Sequence, residues 1–474
     1  MFRLKLLLIA LVLLGASSGC MKYSPAPLVP DEVVQRVEIS RQQPDGDPAK
    51  AAESGPQVFD FPRAVEWMAT HGPALKEARA EFETARALAK VKTPLPNPAL
   101  EIGPNYGFGP DVAKLYRVQP FGSIGFTIPT AGKRRKQDEL NRVRAELLFI
   151  QMQAKHRELY LGLRLLYSQW ILTRERLEAR KKIAESAEKS ANMSKKLVQG
   201  GFANALDLGL LELEAARIRT EALDAERELA AVEGEMSETI GVNAGQFMAP
   251  PEPALPAIPE ATQEIAELRE IMVANHPELA RLRAQYEVAE AELRLEVAKQ
   301  YPDFHFGPSF ERETGEKKTV LGLTLGIDIP LFDRNQQGIA SSKKRREEIR
   351  TKYEAAANRA LASLEKTWRS IQLVNEKLKL LKNTLLPKAN ANLELARKSL
   401  ETGATDALRF LETERGQRAV LIEALDTELS VREAWVDLEQ AVGLPLVLFP
   451  GEKKETVPEL NEGKNSPIDA NPKR

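Results

Sequence analysis

The sequence has a single cysteine, Cys20, so no disulfide can form within one chain. It has only four histidines, His71, His156, His276 and His305, and none lies beside a second strong ligand. Eight scattered methionines do not supply the converging donors a metal centre needs, so no metal site is expected. Aromatics make up only 6% of the chain and are not interleaved with basic runs. With 67 basic against 68 acidic residues, the charge gives no reason to expect nucleic acid. No nucleophile elbow, P-loop or dinucleotide fingerprint is found, which disfavours an enzyme and implies no cofactor. Abundant Ala, Leu, Glu, Lys and Arg favour long packed helices instead.

Arg3 and Lys5 precede an apolar run from Leu6 to Leu14, followed by the small residues "GASSGC". The run falls well short of the ~20 residues of a spanning helix, and the pattern is that of a secretory signal over 1–19. Cys20 directly after the small residues resembles a bacterial lipobox, which implies lipidation of Cys20, although Ser17 stands where that motif usually has Leu. Ordinary cleavage near Gly19 stays open as the alternative. Met21 follows the cysteine, rather than the Asp associated with inner-membrane retention, so by the same resemblance sorting to the outer membrane is implied.

The chain repeats itself. Pro73 aligns with Pro277, Pro98 with Pro302, Pro129 with Pro330, and Gly201 and Gly241 with Gly403 and Gly443. The offset is close to 200 residues throughout and shifts only in loops, so the chain reads as a tandem duplication. The expected organisation is a linker over 20–59, a first repeat over 60–248, a proline-rich joint over 249–262, a second repeat over 263–448 and a polar tail over 449–474. Each repeat has a moderate helix, a proline break, two strand-like stretches, a very long helix, a glycine turn and a long returning helix. The stretch from Gly132 to Gln199 has no proline and would extend roughly 100 Å as a helix.

On the returning helix of the first repeat, Leu208, Leu211, Ala215, Ile218, Ala222, Ala225, Leu229, Val232 and Met236 alternate steps of three and four, a heptad seam. The second returning helix carries two seams, one through Phe410, Val420, Ala424, Val431, Ala434 and Leu438, the other through Leu408, Leu411, Ile422, Leu425, Leu429 and Val436. Two seams call for a partner on each side; a one-sided antiparallel coiled coil remains the simpler alternative.

"LGLTLGIDIPLFDRNQ", from Leu321, alternates strictly: Leu321, Leu323, Leu325, Ile327 and Ile329 on one face, Gly322, Thr324, Gly326 and Asp328 on the other. Tyr116, Val118, Ile124, Phe126 and Ile128 lie similarly opposite Arg117, Gln119, Ser123 and Thr127. Runs of this length suit a tilted strand crossing a bilayer. Four strands cannot close a barrel, whose smallest form has about 8, so a spanning sheet demands oligomerisation. Soluble hairpins packed on helices are the alternative that alternation leaves open. The runs "KRRK" at Lys133 to Lys136 and "KKRR" at Lys343 to Arg346 read first as solvated helix surface and second as contacts to anionic groups at a membrane interface.

From about Phe61 to Leu446 the chain resembles the TolC family of outer-membrane efflux proteins. The stretches that carry the resemblance are "IPLFDRNQQGIA", "LLPKANANLELARKSLETG" and the segments Gly201 to Gly241 and Gly403 to Gly443. "IPLFDRNQ" is similar to the lipoprotein branch that serves exporters of heavy metals and other cations. The resemblance implies a mainly α fold with membrane β structure: a homotrimer whose 12-stranded outer-membrane barrel continues into a periplasmic helical tunnel. It implies a passive exit duct for toxic small solutes or metal cations, with a periplasmic adaptor (membrane fusion protein), an inner-membrane pump and outer-membrane lipid as partners. A polypeptide-secretion duct is the second reading and a lipid-anchored periplasmic scaffold without a pore the third. Pro129 and Pro330 would bend barrel into tunnel. The adaptor would meet tips at Gly201, Asn204, Leu206, Gly403, Asp406 and Leu408, where family members usually have an aromatic just before each glycine and this chain has Leu197 and Ser399. Glu394 and Glu401 are candidates for an entrance gate, with an exposed coiled-coil glutamate as the plainer reading.

Overall fold

The computed structural model describes residues 23–42, 57–106, 118–200, 204–250, 255–259, 263–313, 318–401 and 407–451. Cys20, Gly201, Gly403 and Asp406 lie outside the described residues. The chain divides into two units, Met1–Gly55 and Pro56–Arg474. In the first, helix α1 (Pro30–Gln42) has no buried residue.

In the second unit the duplication is visible element by element. Repeat 1 contains α2 (Phe61–His71), α3 (Pro73–Lys90), β2 (Ala99–Tyr106), β3 (Val118–Ile128), α4 (Lys133–Gln199) and α5 (Ala205–Ile240), with β1 (Gln57–Val58) just ahead. Repeat 2 contains α6 (Ile265–Asn275), α7 (Pro277–Lys299), β5 (Phe304–Glu313), β6 (Lys318–Ile327), α8 (Gln336–Leu380), α9 (Leu386–Glu401) and α10 (Ala407–Val442). Between them β4 (Phe247–Met248) pairs in parallel with β1. The helix starts have local causes: the Asp60 carboxylate accepts from the Arg63 backbone N–H at 3.0 Å, and Pro73 and Pro277 open α3 and α7.

The long helices form antiparallel hairpins, α4 with α5 and α8–α9 with α10. At 67 residues α4 runs unbroken for about 100 Å. Its counterpart is broken, which the sequence pattern did not suggest. A π-helical segment, Leu381–Leu385, separates α8 from α9, directly ahead of Pro387. Proline has no N–H to give the preceding turn and its ring crowds that turn's carbonyl, and a wider turn relieves both.

Each repeat packs its short first helix against its own hairpin. In repeat 1, Phe61, Trp67 and Met68 meet Tyr160, Tyr167, Trp170, Met236 and Ile240, so the few aromatics of the chain concentrate here. In repeat 2, Leu268 and Met272 meet Leu364, Ile371, Val431, Trp435 and Leu438. Phe449, at the first position of the expected polar tail, instead closes the repeat 1 core, 3% exposed and stacked on Phe61 with ring centroids 3.9 Å apart. Of the nine seam residues on α5, Leu211, Ala215, Ile218, Ala225 and Met236 are buried and Leu208, Ala222, Leu229 and Val232 half-buried. The double seam of α10 is also confirmed, because α10 packs on α8–α9 within its hairpin and on α4 across the repeats.

The glycines paired at the ends of α5 and α10 show the duplication at atomic detail. Gly241 (φ +75°) and Gly443 (φ +84°) are both left-handed. A Cβ on either would stand 2.5 Å from a carbonyl oxygen, that of His71 and of Asn275 respectively. Only glycine meets both demands.

Candidate functional site

β2, β3, β5 and β6 form one antiparallel sheet in that order. The register sets Phe126 opposite Phe306, Phe306 opposite Leu325, and Leu100 opposite Ile124. Side chains alternate faces along a strand, so Leu100, Ile102, Ile124, Phe126, Ile128, Phe304, Phe310, Leu321, Leu323, Leu325 and Ile327 share one face. All of them are exposed, Leu321, Leu323 and Leu325 at 81%, 69% and 77%. This is a continuous apolar surface across four strands, well beyond scattered surface hydrophobics.

The opposite face is polar and internally bonded. Ser123 Oγ donates to Glu101 at 3.3 Å and Asn105 Nδ2 to Glu311 at 3.0 Å. His305 shares hydrogen bonds with Thr127 at 3.0 Å and with Asp328 at 3.2 Å. The outer edges of β2 and β6 pair with no strand among the described residues. No described helix is long and apolar enough to cross a membrane.

The strands pass into the long helices through two stitched bends. Pro129 directly follows β3, whereas β6 stops at Ile327 ahead of Pro330, and the reversal is made by left-handed residues, Ala131 (φ 52°) and Gly132 (φ 69°) in one bend and Asn335 (φ 56°) in the other. Thr130 N donates to Asp303 at 2.9 Å and Lys133 Nζ to the same carboxylate at 2.6 Å, tying the first bend to repeat 2. Asn335 Nδ2 donates to the Glu296 carboxylate at 2.6 Å and carbonyl at 2.9 Å. In the "KRRK" run, Lys133, Arg134 and Lys136 bond to Asp303, Thr93 O and Ala131 O, so these cations hold the bend and are not simply solvated. In the "KKRR" run Lys343, Lys344 and Arg345 are exposed, the expected solvated surface, whereas Arg346 is half-buried and donates to Glu290 of α7 at 2.9 Å.

Below the bends the repeats are bolted together. Arg164 on α4 is 3% exposed and Glu439 on α10 is 1% exposed, with two N–O contacts of 3.2 Å. Glu439 also accepts the backbone N–H groups of Leu446 and Val447 at 2.8 and 3.1 Å. Burial pushes the Glu439 carboxyl up, and Arg164 with the two N–H groups opposes it. Arg164 also lies over the rings of Phe61, Tyr160 and Phe449. Arg157 donates to the carbonyls of Asn275, at 3.1 Å, and Gly443. Toward the tips Glu214 of α5, 3% exposed, accepts from Arg415 at 2.5 Å and Arg418 at 2.8 Å. The Arg415 hydrogen bond, with Arg418 against the cost of burial, holds its carboxyl down to about 2.

At the described tip positions, Asn204 caps α5, its side chain accepting the Leu206 N–H at 3.0 Å. Leu206 and Leu408 are exposed at the starts of the two returning helices. Glu394 is exposed and paired with Arg397 at 3.8 Å; the Glu401 side chain is outside the described residues. No group of three or more His, Cys, Asp or Glu among the described residues could hold a metal ion. The inter-repeat charges were missed in the sequence because their partners are far apart along the chain.

A two-faced sheet that continues into paired helical hairpins is the fold of the outer-membrane channel proteins. Residues 268–444 match the family described as outer membrane efflux protein. The chain is 24% identical over 245 residues to the cobalt-zinc-cadmium resistance protein CzcC of Cupriavidus metallidurans, a match covering 52% of this chain and 58% of that protein. It superposes on CusC, described for its transmembrane channel formation, with a TM-score of 0.68 at 16% identity, covering 90% of this chain and 99% of that one. The Campylobacter jejuni CmeC outer membrane channel gives 0.66 at 11% identity, covering 92% and 95%.

Proposed function

We propose that the protein is the outer-membrane channel of a tripartite efflux system, a passive duct through which an inner-membrane pump, joined by a periplasmic adaptor, expels divalent metal cations. The observation that carries this is the sheet: an exposed apolar face, a bonded polar face and two open edges. In hydrocarbon every backbone group must be paired, so such a sheet is stable there only if other copies complete it. Three copies supply about 12 strands around a polar lumen, within the range of closed barrels. The hairpins extend the lumen into the periplasm, and their tips, with Asn204, Leu206 and Leu408, are the adaptor contact. Lipidation of Cys20 adds a second hold on the outer membrane. Divalent metal is favoured as cargo over drugs or polypeptides by the likeness to CzcC, a cobalt-zinc-cadmium resistance protein. The protein needs no resident metal site for this, because a duct that binds its cargo tightly would retain it.

The test is twofold. Detergent-extracted protein from the outer-membrane fraction is expected to have the mass of a trimer and to open conducting pores in planar bilayers. A strain lacking it is expected to become sensitive to cobalt, zinc or cadmium while keeping its drug tolerance. A monomer without conductance would sink the duct; a conducting trimer whose loss changes only drug tolerance would sink the metal cargo.

A further inference from the structure

The joint between the repeats lies over both of them as a strap. Its described part, residues 255–259, contains Pro256 and Pro259 and has no regular structure. Leu255 packs against the repeat 1 core and Ile258 against the repeat 2 core, so this short segment joins the two. Arg432 of α10 holds it from below, donating to the Pro256 carbonyl at 3.0 Å. Between the strap and the helices α4 and α10 lies a cavity of about 30 Å³, flanked by Val447 and Phe449. That is room for one guest the size of a water molecule or a halide ion.

Two residues on the α10 wall of this cavity carry a buried donor with no partner within the protein, Nε of Arg432 and Nε1 of Trp435. The residues are only 9% and 8% exposed, so bulk solvent does not serve these groups. A buried donor left unpaired is costly, and the indole N–H of a core tryptophan usually finds an acceptor. Elsewhere in this chain it does: Trp170 donates to Glu233 and Trp368 to the Gln263 carbonyl, each at 3.1 Å. Trp435 occupies in repeat 2 the position that Glu233 has in repeat 1, so the second copy has a donor where the first has an anionic acceptor. The local charges point the same way. Burial pulls the Arg164 guanidinium down by more than Glu439 raises it, and the Arg432 guanidinium down by more than Glu428 and Glu175 raise it. Both cations are therefore under-compensated, and a further negative charge beside them is favourable.

We propose that the cavity beneath the strap is a binding site for one small monovalent anion, chloride, held by the Arg432 and Trp435 N–H groups. Both unpaired groups donate, so the guest must accept. A halide ion accepts from every direction and has no hydrogens of its own to place, whereas a water molecule brings two into a cavity walled by prolines, Val436 and Phe449. Oxyanions such as sulfate are too large for the space. Glu439 also lines the cavity, but its charge is matched by Arg164 and its oxygens take the Leu446 and Val447 N–H groups. The ion fills the space under the strap and ties it to α10, so the cohesion of the two repeats comes to depend on halide. Every wall of the site belongs to one chain, and the inference does not rest on the duct.

The test compares salts at constant ionic strength. Thermal unfolding of the full-length, detergent-extracted protein is followed as sodium chloride replaces sodium gluconate. The midpoint is expected to rise and saturate, the folded state gaining about tenfold once chloride reaches ten times its dissociation constant. Bromide is expected to replace chloride. Trp435→Phe keeps the ring and removes the donor, and is expected to fold and to lose the halide dependence. Crystals of the wild type grown in bromide are expected to show anomalous scattering between the strap and α10, a readout that stands even if the variant does not fold. Equal midpoints in chloride and gluconate would overturn the site. So would a halide dependence that Trp435→Phe retains, or bromide found only elsewhere on the molecule.

Discussion

Placing an arginine at neighbouring positions of one strand separates a membrane stave from a soluble hairpin. β6 has ten residues. At ~3.4 Å per residue and a tilt of ~40° they rise about 26 Å, close to the ~25 Å apolar band of an outer-membrane barrel. Leu323 lies near the middle of that height on the apolar face, opposite Pro308; Thr324 lies on the polar face, opposite Gly307. An arginine on the lipid side at mid-depth costs ~2–4 kcal/mol per chain, so roughly 6–12 kcal/mol in a ring of three. On the polar side Gly322, Gly326 and Gly307 leave room around position 324, and an arginine there faces water at little cost. Leu323→Arg is therefore expected to abolish the folded, heat-modifiable form on cold SDS gels and to remove metal resistance in a complemented strain. Thr324→Arg is expected to keep the folded form and change only conductance. Equal tolerance of both substitutions would refute a lipid-facing surface, and the reverse order would mean the faces are assigned backwards.

Removing the Glu439 carboxylate leaves Arg164 buried without its counter-charge and two backbone N–H groups unpaired, so Glu439→Ala is expected to cost about 3–5 kcal/mol. Denaturant unfolding should show Glu439→Leu with Arg164→Met to be less damaging than Glu439→Ala alone, and a cost below about 1 kcal/mol would contradict the contact. Gly443→Ala, just past the end of α10, forces a Cβ into left-handed backbone 2.5 Å from the Asn275 carbonyl, whereas Gly416→Ala inside α10 has open space. Only the first should lower the thermal midpoint, and equal effects would deny the strain. Glu214 has its carboxyl held below the ordinary 4.5, at about 2. Its contribution is complete above about pH 4.5 and is lost as pH falls toward 2. Limited proteolysis over that range is expected to show the hairpins loosening in acid, with Glu214→Gln already loosened at neutral pH; no difference between variant and wild type would remove the ion pair from the stability of the tip.

Much of this molecule was legible in the sequence because the signals are periodic and local. Alternation over Leu321 to Ile329 fixed a two-faced strand, steps of three and four from Leu208 to Met236 fixed a seam, and an offset near 200 residues fixed a duplication. Each can be read within a few residues of itself or by comparing the chain with itself. What tertiary structure alone decided involves groups distant in sequence or free to choose among several partners. Nothing near Arg164 announces Glu439, and Phe449 reads as the start of a tail until it stacks on Phe61. Ala131 and Asn335 take left-handed backbone beside bonds between residues far apart in sequence, Thr130 to Asp303 across the repeats and Asn335 to Glu296 within repeat 2. The two copies of one pattern also have different fates: the helix face at Arg157 is buried inside the chain, and its duplicate at Arg359 faces outward. Periodicity records that a face is meant to be covered; only the packed structure shows which copy of that face the chain covers by itself.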